Sequence, residues 1–184
     1  MIWLVIGLSL WLGGHLFKRL LPRQRLAMGK AGRGVVAVSI VAGIVLMVIG
    51  YGAADFVNLY ELPGWVWYVN NVLMLIALFL MDVGRAGGVV GAKVRHPMLL
   101  GVVVWGIAHL LVNGDLASLV LFATMGVWAL AEMIVLNRAE GPWTPPAQGP
   151  IGKDIKAAVI AIVLFAVIVG IHYWLGYSVL AVLR

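Results

Sequence analysis

The chain has 184 residues, of which 64% are hydrophobic and 11% charged, with a mean hydropathy of +1.08. A soluble domain carries about 25% charged residues, so so few charges cannot cover a water-facing surface and the composition points to a membrane protein. Cysteine is absent, which excludes a disulfide framework, a thiolate metal site and a catalytic thiol. The net charge of +6 has a simple source in the excess of Lys and Arg that cytoplasmic loops carry, so it does not argue for a nucleic acid partner.

Met1 to Phe17 holds no Lys, Arg, Asp or Glu. Its positive charge follows the apolar run, at Lys18 and Arg19, where a secretory signal would have it in front. It is therefore read as an uncleaved first span, extending at most to Leu21, where Pro22 stops it. Lys18 to Arg33 reads as a basic loop, Gly34 to Ala54 as the second span and Asp55 to Gly64 as a short acidic loop. Trp65 to Val83 is the third span, opened by the interfacial aromatics Trp65, Trp67 and Tyr68. Gly84 to His96 is a glycine-rich basic loop.

Pro97 to Val112 is the fourth span. Proline suits the first helical position, because its missing N–H would be unpaired there in any case. Asn113-Gly114 makes a turn, and Asp115 is placed to cap the next helix. Leu116 to Leu136 is the fifth span. Asn137 to Asp154, with Pro142, Pro145, Pro146 and Pro150, is a polar loop, and Ile155 to about Val182 is the sixth span.

The first, third and fifth loops, with Lys156 just past the fifth, hold 12 of the 13 basic residues, the exception being Arg184. The other loops hold none. The positive-inside rule then predicts an all-α, polytopic protein with six transmembrane helices, basic loops in the cytoplasm and both termini outside, in the periplasm. No repeat or long linker breaks the chain, so residues 1–184 read as a single transmembrane helical domain.

Few polar residues lie within the spans. His15, in the frame Gly13-Gly14-His15-Leu16, needs a partner for its N–H inside the bilayer. Either it bonds a carbonyl or it serves as a metal or haem ligand. Gly13 and Gly14 would let a flat macrocycle or another helix approach the backbone. His109 lies deep in the fourth span with Trp105 at i−4 on the same face. An intramembrane histidine of this kind is a functional candidate, against helix–helix hydrogen bonding as the structural alternative. No second histidine sits at i+3 or i+4, so a helical zinc pair is not indicated. Two histidines on different helices are what axial ligation of haem requires.

Arg95-His96-Pro97 reads as an interfacial helix start or, alternatively, as an anion site. There Arg95, with Lys18 or Arg19, would pair with cofactor carboxylates such as haem propionates. His172, beside Tyr173 and Trp174, reads as interfacial. Asp82 pairs with Arg85 at i+3. Glu132 lies inside the fifth span, either snorkelling toward Arg138 or bonded to a polar group in the bundle.

The run Arg95-His96-Pro97-Met98-Leu99-Leu100, then Trp105, Ala108-His109-Leu110-Leu111 and Asn113-Gly114-Asp115-Leu116-Ala117-Ser118, resembles the signature of NnrU-type membrane proteins. The resemblance extends to Gly14-His15-Leu16, Pro22, Gly50-Tyr51 and the helix containing His172. That family takes its name from genes linked to denitrification and nitric oxide metabolism. It is similar in turn to the zeta-carotene isomerases, integral membrane haem b enzymes with two histidine ligands. By that resemblance His15 and His109 are the axial ligands of a haem iron. A weaker resemblance, to isoprenylcysteine methyltransferases, rests on Arg-His-Pro at a helix start. Those proteins have an aromatic residue where this chain has Leu99, and paired glutamates where it has Ala131-Glu132-Met133, so methyl transfer is disfavoured.

The expectation is a multi-pass protein of the bacterial inner membrane binding one haem b between the first and fourth helices. His15 and His109 hold the iron, Arg95 balances the propionates and Trp105 walls the pocket. The partners implied are the lipid bilayer and a small gas or hydrophobic ligand, with no nucleic acid. If the protein is an enzyme, an isomerase-like activity is favoured. The alternative is a non-enzymatic assembly factor or carrier whose histidines are structural.

Overall fold

The structure, a computed structural model, describes residues 1–180. The elements are α1 (Ile2–Leu20), α2 (Pro22–Ala27), α3 (Ala31–Gly52), α4 (Val66–Ala86), α5 (Pro97–Val112), α6 (Leu116–Ser118), α7 (Thr124–Glu140) and α8 (Gly152–Trp174). The described residues form no strand; a single isolated bridge pairs Asn58 with Asp115. A π-helical turn over Leu119–Ala123 joins α6 to α7, so Leu116–Glu140 runs as one 25-residue helix.

Four helices are long and apolar enough to cross a membrane: Ala31–Gly52, Val66–Ala86, Leu116–Glu140 and Gly152–Trp174. The other two expected spans fall short for different reasons. α1 has 19 residues but ends in the cations Lys18 and Arg19. α5 is apolar throughout but only 16 residues long, and a straight crossing of the hydrocarbon takes about 20.

Contacts divide the described residues into two compact units, 1–59 with 115–124, and 60–114 with 125–180. In the first unit α1 and α3 pack antiparallel along a seam of glycines. A methyl on Gly7 would stand 2.6 Å from the Met47 amide nitrogen, and one on Gly43 would stand 2.9 Å from the Gly7 carbonyl. One on Gly50 would collide with the Leu4 backbone. Lipid tails are as apolar as leucine, so helices in a membrane gain little from hiding apolar surface from lipid. They associate through close packing, which small residues permit. Loop 53–59 is fastened to the start of α6: the Leu116 amide donates to the Val57 carbonyl at 2.9 Å. The Tyr51 hydroxyl bonds the Ser118 hydroxyl at 2.7 Å.

In the second unit α4 packs against both α5 and α8. Gly101 brings α5 against the Ala77 carbonyl, where a methyl would lie 2.9 Å away. Ala77, Leu80, Val83, Ala108, Trp128 and Ala157 are buried.

Three boundaries depart from the sequence reading. The basic stretch 18–33 is largely helical, because Pro22 starts α2 at its N-terminus and Gln24, Arg25, Leu26 and Ala27 favour helix. α7 continues to Glu140, past the expected Leu136, and is stopped by Gly141 at φ 73°. α8 begins at Gly152 and ends at Trp174, well before Val182. Gly176 stands at φ 88°. The Tyr177 amide returns to the His172 carbonyl at 2.8 Å and the Gly176 amide to the Tyr173 carbonyl at 3.0 Å, which is a Schellman termination. Val182 and Arg184 lie outside the described residues. Other expectations hold: α5 spans Pro97–Val112, the Asp115 carboxylate caps the Ser118 amide at 2.9 Å, and Arg85 pairs with Asp82 at 2.9 Å.

The glycine seam predicts a graded mutational response. Gly50→Ala should destabilise the protein by about 1–3 kcal/mol through overpacking. Gly13→Ala, where an added methyl meets nothing within 4 Å, should leave the melting temperature nearly unchanged. Thermal unfolding followed by size-exclusion fluorescence in detergent checks the difference.

Candidate functional site

His109 sits in the last turn of α5. Its Nδ1 lies 2.9 Å from the Trp105 carbonyl. A carbonyl only accepts, so Nδ1 carries the proton and the lone pair of the neutral ring is on Nε2. The indole of Trp105 lies against the imidazole with ring centroids 4.9 Å apart and planes tilted by 53°. The helix end beneath it is sealed. Asn113 donates to the His109 carbonyl from both its backbone amide and its side-chain amide, each at 2.9 Å. The Tyr60 hydroxyl donates to the Leu110 carbonyl at 2.5 Å.

His15 repeats this construction in α1. Its Nδ1 lies 2.9 Å from the Trp11 carbonyl, and the two rings are 4.2 Å apart at 36°. Both histidines thus belong to a Trp-x-x-x-His unit in which the tryptophan carbonyl fixes the tautomer and the tryptophan ring braces the imidazole. Gly14 is occupied by helix packing: an added methyl would stand 2.9 Å from Ile40 Cγ1 of α3. Gly13 faces open space, so of the two it alone leaves room for a flat ligand.

The four sequence candidates divide between the two compact units. Trp105 and His109 are together. His15 belongs to the other compact unit. Arg95 precedes the opposite end of α5 from His109; Pro97 and His109 are twelve residues apart, or about 18 Å along the helix axis.

His172, read from sequence as interfacial, also lies in the last turn of its helix. Its Nδ1 bonds the Ile168 carbonyl at 2.8 Å. It has isoleucine, not tryptophan, at i−4. Glu132 is buried at 8% exposure, so it does not snorkel to the surface. Among the described residues, no group of three or more His, Cys, Asp or Glu could hold a metal ion.

At the other end of α5, loops 87–96 and 141–151 meet. His96 Nε2 lies 2.9 Å from Asn137 Oδ1, and Arg95 reaches Glu140 at 3.5 Å. Asp154, 5% exposed, accepts from the amides of Val89 at 2.7 Å and Val90 at 3.3 Å. The two basic loops of this unit therefore share one end of it, as the charge pattern requires. A cleft of about 430 Å³ opens there between Met81, Arg85, Arg95, Leu99, Leu136 and Trp143.

Membrane-length apolar helices, glycine-mediated helix packing and polar side chains turned back onto their own backbones define an all-helical integral membrane protein. Within that class, the family model described as NnrU protein matches residues 3–179, and the chain belongs to the NnrU family. No match was found among curated proteins or among solved structures.

Sequence reasoning overlooked Trp11, although its i−4 spacing from His15 repeats that of Trp105 and His109. It also left out Tyr60, whose bond to α5 crosses fifty positions of sequence and has no local signature. Asp154 was placed at a loop end with no role assigned. It should act as the clamp of loop 87–90: Asp154→Ala should raise the amide exchange rates of Val89 and Val90 by about tenfold or more, given roughly 1–3 kcal/mol for unsatisfied buried donors. Hydrogen exchange read by mass spectrometry tests this, with the amides of α3 as the internal reference.

Proposed function

We propose that this NnrU-family protein binds haem b, with His15 and His109 supplying the imidazole ligands to iron. The observation that carries the reading is the repeated Trp-x-x-x-His construction. In each copy Nδ1 donates to the tryptophan carbonyl, at 2.9 Å. A ligating histidine is normally held in this way, with one nitrogen donating to an oxygen and the other presenting its lone pair to the metal. Imidazole nitrogens on apolar helices are also the donors that haem b iron takes from protein. Bound there, haem would supply a redox-active iron able to take a gas such as nitric oxide, or to act on an alkene, once one imidazole leaves. The roles left to the chain are to hold the two tautomers, brace the rings with Trp11 and Trp105, and exclude water by apolar packing.

The reading rests on the two histidines and not on Arg95, which precedes the other end of α5. We further place the protein in the bacterial inner membrane with six spans, α1 and α5 completing the four long helices. The loops that carry, with Lys156 just past the fifth, 12 of the 13 basic residues then lie in the cytoplasm and both termini in the periplasm.

Two measurements test these statements. Protein purified from haem-replete cells should show a Soret band, which His15→Ala and His109→Ala each abolish and His96→Ala retains. A colourless wild type would overturn the haem reading and favour an assembly factor or carrier with structural histidines. The natural chain contains no cysteine, so single-cysteine labelling needs no background removal. An impermeant maleimide added to intact cells should label Asp55→Cys and spare Lys93→Cys; the reverse pattern would invert the topology.

A further inference from the structure

The cleft at the start of α5 lies outside the histidine chemistry and has a character of its own. Its walls are apolar, formed by Met81, Leu99, Leu136 and Trp143, and its rim carries Arg85, Arg95 and His96. Its volume of about 430 Å³ falls within the range that holds small ligands, roughly 300–1,000 Å³. Arg95 is the decisive residue. Its side chain is 19% exposed, and its Nε is buried with no hydrogen-bond partner among the described residues.

A guanidinium is charged at every accessible pH and presents planar donors suited to a carboxylate or phosphate. Leaving one of those donors buried and unpaired is costly. Glu140 does not resolve this: its carboxylate is 57% exposed and 3.5 Å from the Arg95 terminal nitrogen, a long surface contact of little strength. His96 is engaged with Asn137 at 2.9 Å, which orients the ring at the rim. Arg85 is 80% exposed and paired with Asp82, so it adds positive potential at the mouth without closing it.

A cation at the mouth and a wall of methionine, leucine and tryptophan behind it match one kind of molecule, an acidic head attached to an apolar chain. In a protein embedded in lipid, the abundant molecule of that kind is an acidic phospholipid. Basic pockets between membrane helices on the basic face bind such headgroups. We propose that this cleft is a binding site for one acidic phospholipid, with the phosphate on Arg95 and an acyl chain along Leu99, Leu136 and Trp143. Free phosphate would satisfy the arginine but leave the apolar wall uncovered. A zwitterionic lipid would cover the wall but bring its own cation against Arg95 and Arg85. The site is independent of haem, since Arg95 precedes the end of α5 opposite His109.

Native mass spectrometry of the full-length protein in a neutral detergent tests the assignment, with phosphatidylglycerol, phosphatidylcholine and inorganic phosphate as probes. One equivalent of phosphatidylglycerol should bind saturably, and phosphatidylcholine and phosphate alone should not. Arg95→Gln should weaken phosphatidylglycerol binding by about tenfold or more, as expected for loss of a charge-assisted contact. Leu99→Trp, which fills the apolar end and keeps the arginine, should weaken it as well. Arg138→Gln, removing an exposed charge in the last turn of α7, should leave it unchanged. Equal lipid binding by the wild type, Arg95→Gln and Leu99→Trp would overturn the proposal. So would phosphate binding as tightly as the lipid. If Arg95→Gln does not fold, the comparison of Leu99→Trp with wild type decides alone. The Soret absorbance of each variant, recorded alongside, keeps failure of this site distinct from failure of the haem reading.

Discussion

The constraint on which the structure depends is that a polar group within the bilayer has no water to bond. Every donor and acceptor in the helices must find a partner inside the chain. The helices satisfy their own backbones, and side chains within them turn back to the same ladder. Ser9 bonds the Val5 carbonyl, His15 that of Trp11, His109 that of Trp105 and His172 that of Ile168. Helix ends are closed by neighbours close in sequence or far from it: Asp115 on the Ser118 amide, Asn113 on the His109 carbonyl and Tyr60 on the Leu110 carbonyl. The histidine tautomers that make metal ligation feasible follow from this same constraint, so structural satisfaction and ligand preparation are one arrangement.

With hydrophobic attraction between helices nearly absent in lipid, packing depends on how closely backbones approach. Gly7, Gly43 and Gly50 make the α1–α3 seam, and Gly101 does the same for α5 on α4. This packing consumes Gly14 and leaves Gly13 open beside His15.

Arg95 departs from that pattern. It is a largely buried cation with one donor unsatisfied, beside a cleft with apolar walls. In our proposal this donor is completed from outside, by the phosphate of a lipid. Its position beyond the N-terminal end of α5 separates it from His109, so one short helix links two chemically different environments. One is aromatic and is the place where we propose an imidazole ligand to haem iron. The other is cationic and suited to an acidic headgroup.

The sequence by itself determined the class and much of the plan. Charge content alone required a membrane protein, and Pro97, Asn113 and Asp115 defined α5 and its exit because proline, Asx turns and N-caps act over a few residues. Basic loops three and five converge at one end of their unit, as charge bias along the chain predicted. His15 and His109 were legible as oddities because uncharged imidazole is rare among apolar neighbours. Other features were settled only by tertiary structure. Whether Gly13 or Gly14 meets a helix depends on where α3 lies, and hydropathy carries no such information. The end of α8 at Trp174 hinges on a left-handed Gly176, which looks in sequence like any other membrane glycine. The partners of Arg95 and His109, at opposite ends of one helix, were likewise set by the segments that pack there. An α-helix rises about 1.5 Å per residue, and that rise puts the two ends of α5 at different depths with different partners.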